Sequence, residues 1–132
     1  MSTNSEQGRC VVVLDTSAFV AGYDAFSVSA EQVTVPKVEE EILRNSMVKL
    51  RFQTALESGK VKVRAPLKEY EQAAKASANK VGDAHKLSEA DMQLLSLALE
   101  LKSQGCTPQI VTDDYSIQNV AKQLGVEFVA PA

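Results

Sequence analysis

The stretch "CVVVLDTSAF", residues 10–19, decides the fold. Val11, Val12, Val13 and Leu14 form an unbroken apolar run rich in β-branched side chains. Such a run fits a strand buried on both faces, as in a parallel sheet covered by helices. It stops at Asp15, with Thr16 and Ser17 immediately after. An acid at the end of a buried strand has two readings. It caps the helix that follows, or it belongs to a site, because open parallel sheets bind ligands beyond the carboxyl ends of their strands.

Working outward, strands and helices alternate. A short strand is predicted at Gln32–Val35, and Pro36 suits the first turn of a helix through "KVEEEILRN". "SMVKLRFQTALESG" has helical spacing and stops at Gly59. "KVKVRAP" alternates as a strand does and ends at Pro66. "LKEYEQAAKASANK" is helical and breaks at Gly82. "LSEADMQLLSLALELKSQG" is the strongest helix, with Ser88 as cap, Asp91 in a capping-box relation to it, and Gly105 as its end. "QIVT", "YSIQNVAKQLG" and "VEFV" complete the order as strand, helix and strand. The expectation is one α/β domain, a three-layer α/β/α sandwich around a mainly parallel sheet, over residues 10–132. Residues 1–9 read as a polar flexible tail.

A second acid pair, Asp113–Asp114, directly follows "QIVT". If the two acid-tipped strands are neighbours, their carboxylates converge. Asp91 shares a helical face with Leu94, Leu95 and Ala98, which points it inward, where a lone carboxylate is costly. Capping by the helix dipole is the competing explanation. In "KVEEEIL", Glu40 lies opposite Val38 and Ile42 and faces solvent, whereas Glu39 and Glu41 both flank the apolar face and periodicity does not separate them. Two strand-end acids plus one inward acid on each of two helices, with no matching Lys or Arg beside them, make the all-oxygen donor set that hard cations require. The chemistry such a site supports is metal-assisted phosphodiester hydrolysis.

Composition narrows the setting. At 132 residues, with 45 % hydrophobic and 23 % charged residues, the chain can bury a core without disulfides. Cys10 and Cys106 stand far apart with no CxxC, so reduced thiols are expected and zinc is not. No apolar run is long enough to span a membrane, and the first residues lack a signal-peptide core, which points to a cytoplasmic address. The net charge of −3 is unevenly spread: Arg44–Lys86 holds ten basic residues against four acidic. Within that basic half, Arg44, Lys49, Arg51, Lys80 and Lys86 are the candidates for phosphate contact. With 5 % aromatics and no Trp, base stacking would not be the main mode of any nucleic-acid contact. His85 reads as an exposed loop residue.

The set "VVVLDTSAF", "VPKVEEEI", "LSEADMQLLSLALEL" and "VTDDYSIQNVAKQLGV" resembles the PIN-domain ribonucleases along nearly the whole chain. The resemblance assigns Asp15, Glu41, Asp91 and Asp114 as catalytic, metal-holding acids, favours Asp114 over Asp113, which stays a further candidate ligand, and puts Thr112 in support; Ser17, beside Asp15, is a second supporting candidate from its place at the cap. The resemblance thereby chooses Glu41 over Glu39. It implies a PIN-like fold and one or two Mg²⁺ or Mn²⁺ ions. "LSEADMQLLSLALEL" and "TDDYSIQNVAKQLG" are most similar to the Nin-one-binding family, which forms the mature 3′ end of small-subunit ribosomal RNA. That implies pre-rRNA and the pre-ribosomal small subunit as partners, and leaves Gln118 and Asn119 as family-specific residues without an assigned role. The family usually adds a zinc ribbon of paired CxxC motifs. Its absence here leaves a chain cut at the domain boundary or a member that lost the ribbon. A toxin-type PIN nuclease is the enzymatic alternative, and an inactive PIN fold that binds RNA is the non-enzymatic one. Monomer and homodimer are both open.

Overall fold

The computed structural model describes residues 8–44 and 46–131. Five strands form one sheet: β1 (Cys10–Leu14), β2 (Glu31–Thr34), β3 (Lys62–Val63), β4 (Thr107–Val111) and β5 (Glu127–Val129). Their order is β3-β2-β1-β4-β5 and every pairing is parallel. Six helices connect them: α1 (Thr16–Val20), α2 (Pro36–Leu43), α3 (Ser46–Glu57), α4 (Lys68–Lys80), α5 (Glu89–Ser103) and α6 (Tyr115–Leu124). Helices α1, α2 and α3 pack on one another, as do α4, α5 and α6. Right-handed crossovers put these two groups on opposite faces of the sheet. The expected three-layer α/β/α sandwich is therefore present.

Burial explains why β1 leads the fold. Val11, Val13 and Leu14 are fully buried, flanked by β2 and β4 and covered by helices. On the α5 side the core is aliphatic, with Leu94, Leu95, Leu97, Ala98 and Leu101 buried. On the other side Phe19 and Phe52 meet edge to face, ring centroids 5.2 Å apart. Pro36 opens α2 as expected, and Gly125 ends α6 at φ +70°, a left-handed conformation that favours glycine. No described helix is long and apolar enough to cross a membrane.

Three expectations shift. The first seven residues of the predicted tail lie outside the described residues. Gly8 and Arg9 are tied to the sheet: Gly8 N–H donates to the Gly105 carbonyl, the Arg9 carbonyl accepts from Thr107 N–H at 2.8 Å, and Arg9 pairs with Glu31. The "KVKVRAP" strand is shorter than its alternation suggested, covering only Lys62 and Val63; Arg64 N–H still donates to the Thr34 carbonyl at 2.9 Å while its side chain reaches Glu100 on α5 at 2.7 Å. A one-turn helix, α1, follows Asp15 directly.

Glu100 is 3 % exposed and accepts from both Arg64 and the Leu67 N–H, so it clamps the β3–α4 connection onto α5. Among the described residues, removing it leaves the Arg64 side chain with only the Gln104 side-chain oxygen, which carries no charge, and leaves the Leu67 N–H orphaned. Glu100→Ala is expected to cost about 2–4 kcal/mol in urea denaturation. A loss below about 0.5 kcal/mol, the scale of an ordinary surface substitution, would show that the clamp contributes nothing.

Candidate active site

Register places the site. Leu14 pairs with Val111, so Asp15 and Thr112 stand side by side where β1 and β4 end. The chain order reverses here, since β1 has β2 on one side and β4 on the other. Asp15 is buried, 7 % exposed. Its Oδ1 accepts from Thr16 N–H at 2.7 Å, and its Oδ2 accepts from the Thr112 hydroxyl at 2.7 Å and the Ser17 hydroxyl at 3.1 Å. The Thr112 oxygen in turn accepts from Asp114 N–H at 3.1 Å. One hydroxyl thus fixes the first and last acids against each other.

Each of the three aspartates also starts a helix. Asp15 is the N-cap of α1. Asp114 is the N-cap of α6, its Oδ1 accepting from Ser116 and Ile117 N–H. Asp91 completes the predicted capping box of α5, its Oδ2 accepting from Ser88 N–H at 2.9 Å. Capping and site membership are therefore not alternatives. Among the described residues, Asp91 Oδ1 and Asp114 Oδ2 make no hydrogen bond, so these two acids each keep one oxygen free of protein donors, whereas both Asp15 oxygens accept.

The carboxylates feel one another. Burial pushes the Asp15 carboxyl above its ordinary range, its three hydrogen bonds pull it partly back, and the Asp114 charge adds to the rise. Burial also raises Asp91, the Ser88 N–H opposes this, and the charges of Asp15 and Asp114 raise it further. No Lys or Arg among the described residues forms an ion pair with Asp15, Glu41, Asp91 or Asp114. The other two buried acids do have cations: Arg64 for Glu100 and Lys86 for Asp83.

Glu41 corrects one expectation. It is exposed rather than inward, because α2 buries Val38 and Ile42 and leaves Glu41 at the rim. It joins the site through Thr16, whose hydroxyl donates to Glu41 Oε1 at 2.6 Å. Glu40 faces solvent as expected, paired with Lys37 and Arg44. Asp113 is exposed, its N–H 3.3 Å from the Ser17 hydroxyl. Sequence reasoning missed Thr16; its adjacency to Asp15 was the available signal. Gln118 acquires a role by donating to the Thr112 carbonyl at 3.0 Å, and Asn119 by donating to Asp83 at 3.2 Å. Both lock the start of α6.

Among the described residues, no three acidic, His or Cys side chains are drawn into a closed metal shell. The donors are nonetheless all oxygens, from carboxylates and hydroxyls, and they fit a hard divalent cation. Of the candidate RNA contacts, Lys49 and Lys80 are exposed without an ion pair among the described residues. Arg44 is paired with Glu40 and Lys86 with Asp83, while Arg51 donates to the Phe19 carbonyl at the end of α1.

The family model for the PIN domain of ribonuclease matches residues 12–101, a segment that takes in Asp15, Glu41 and Asp91. The chain belongs to the PIN-domain ribonuclease family. Endoribonuclease Nob1 of Pyrococcus abyssi is 41 % identical over 117 residues, covering 89 % of this chain and 66 % of that protein. Endoribonuclease Nob1 of Methanocaldococcus jannaschii is 40 % identical over 117 residues, or 89 % of this chain and 54 % of that protein. Ribonuclease VapC3 of Aeropyrum pernix is 37 % identical over 125 residues, or 95 % and 88 % respectively. This PIN chain thus spans about half to two thirds of these Nob1 relatives. The alignments, at 117 to 125 residues, are longer than the segment the family model matches.

The raised acids set a pH dependence. A native Asp pKa above its unfolded value lowers stability as pH rises from the unfolded pKa through the native one. Asp15→Asn removes that loss and part of the one at Asp91. In EDTA, the melting temperature of the variant minus that of the parent is expected to be larger at pH 7 than at pH 4. A difference that stays constant, or that shrinks toward pH 7, would refute the coupling.

Proposed function

We propose that this PIN domain is a divalent-metal-dependent endoribonuclease that matures the 3′ end of small-subunit ribosomal RNA in the cytoplasm. The observation that carries the reading is Asp15: a buried acid, held by hydroxyls and an N–H, facing other carboxylates and no cation. Asp15, Glu41, Asp91 and Asp114 would hold Mg²⁺ or Mn²⁺, with Asp113 at the edge. Bound there, such a cation would activate water at neutral pH and offset charge gathering on the phosphoryl oxygens.

The chain's own residues do the positioning. Thr112 and Ser17 orient Asp15 without neutralising it, so its full charge stays available. Thr16 brings Glu41 to the rim. Ser88, through the capping box, fixes Asp91, and the Ser116 and Ile117 N–H groups fix Asp114. Lys49 and Lys80, both exposed, are the side chains proposed to attract RNA phosphates. The assignment to ribosomal RNA is supported by the similarity to the Nob1 endoribonucleases. A second reading, a toxin-type ribonuclease, is supported by the Aeropyrum VapC3 relative, which aligns over nearly its full length.

Incubation with RNA spanning the small-subunit rRNA end and its downstream spacer separates these readings. With Mn²⁺ the parent is expected to make one discrete cut, absent in EDTA and absent in Asp15→Asn or Asp91→Asn. Scattered cuts would favour the toxin-type enzyme, and RNA binding without any cut would overturn the nuclease. Thr112→Val should lower cleavage about 10–100-fold with the fold retained, and Thr112→Ser should restore most of it. Mn²⁺ at about a hundred times its Kd adds about 2.7 kcal/mol to a protein that binds it only when folded. The parent's melting temperature should therefore rise by roughly 10 °C, and that of Asp15→Asn by far less. Equal shifts would place the metal elsewhere.

A further inference from the structure

A groove of about 330 Å³ opens between α4, the one-turn 3₁₀ helix Ala84–Lys86 and the first turns of α5. Ala84, Leu87 and Met92 line it with apolar surface, and Glu71, Lys75 and Gln93 line it with polar groups. Two features mark it as more than a packing gap. Glu71 and Lys75 stand four residues apart on α4, a spacing and order that favour an ion pair. They form none, and neither pairs with any other described residue. Across the groove, Gln93 Oε1 is engaged by Lys37 N–H at 3.0 Å, and Gln93 Nε2 makes no hydrogen bond among the described residues. An unpaired acceptor, an unpaired cation and a spare amide donor thus surround an apolar lining.

The groove opens at the same end of α5 as Asp91, but Met92 leaves the helix about 100° round from it, so the two side chains lie on different faces. The same capping turn at Ser88 that fixes the Asp91 carboxylate also contributes to the groove wall.

We propose that this groove takes one unstacked base of the RNA substrate, and that it prefers guanine. This rests on the ribonuclease reading and adds a specificity subsite to it. The apolar lining suits the flat π-face of a base, with the Met92 thioether against the ring. A carboxylate such as Glu71 is acceptor-only. Guanine offers it two adjacent donors, the ring N–H and the exocyclic amine. Uracil offers one N–H between two carbonyls, which the carboxylate repels. Lys75 is placed for the phosphate beside the bound base. The aromatic-poor composition does not oppose this, because a single enclosed base needs no aromatic platform.

The chain has three methionines, Met1, Met47 and Met92, so ¹³C-methyl methionine labelling gives the groove its own NMR signal. The parent protein is titrated in EDTA with single-stranded RNA pentamers carrying G, A, C, U or an abasic nucleotide at the centre. The expected result is an upfield ring-current shift of Met92 with G, a weaker one with U, none with the abasic pentamer, and a static Met47. Glu71→Gln should cut the preference for G over U about tenfold. A Met92 signal that does not move, or that moves equally with the abasic pentamer, would overturn the subsite. So would a G over U preference unchanged by Glu71→Gln. Cleavage is scored separately with Mn²⁺. Cutting with a silent Met92 would sink the subsite and leave the nuclease standing, whereas a responsive Met92 without cutting would sink the nuclease and leave a base-binding groove.

Discussion

The hydrogen bond from Thr112 to Asp15 is the constraint on which the rest of the site depends. It exists because β1 and β4 pair in parallel with Leu14 beside Val111, so that the next residue of each strand stands at the same height. A one-residue slip would turn Asp15 to the other face of the sheet and separate it from the hydroxyl. The register is held by full burial of Val11, Val13, Leu14 and Ile110, none of which has a solvent face to slip toward. The hydrophobic core therefore fixes not only the fold but the position of a carboxylate to within a hydrogen bond.

Three helix starts then gather at that edge. A helix N-terminus presents unsatisfied N–H groups and a partial positive charge, so it welcomes an acid. Asp15, Asp91 and Asp114 each satisfy such a start. Burial and mutual repulsion nevertheless outweigh that welcome at Asp15 and Asp91, whose carboxyls sit above their ordinary range. Caps hold the acids in place without removing the strain among them.

Much of this was legible in the sequence, for identifiable reasons. An unbroken β-branched run can be little other than a buried strand, and Ser88 with Asp91 writes its capping box in four letters. The acids at strand ends follow from the alternation of elements. What the sequence did not carry was distance. Periodicity placed Glu41 beside the apolar face but could not show that the helix stops short of burying it, nor that Thr16 reaches across to it. Arg51 and Lys86 looked like free cations because their partners, the Phe19 carbonyl and Asp83, depend on how α1 ends and how the 3₁₀ turn folds. The groove at the start of α5 is built from three segments, and no local pattern announces it.

The treatment of the three buried acids shows what separates structure from site. Glu100 and Asp83 are each given a cation from within the chain, Arg64 and Lys86. The fold is thus able to neutralise a buried carboxylate, and does so where the carboxylate only ties elements together. Asp15 receives hydroxyls and a backbone N–H instead. A guanidinium in their place would stabilise the folded protein, but it would also occupy the charge permanently and compete with any other cation. Hydroxyls orient the carboxylate and leave its charge unspent. Asp15 is therefore oriented without a cation of its own, at a cost in stability that an acid paired like Glu100 does not bear.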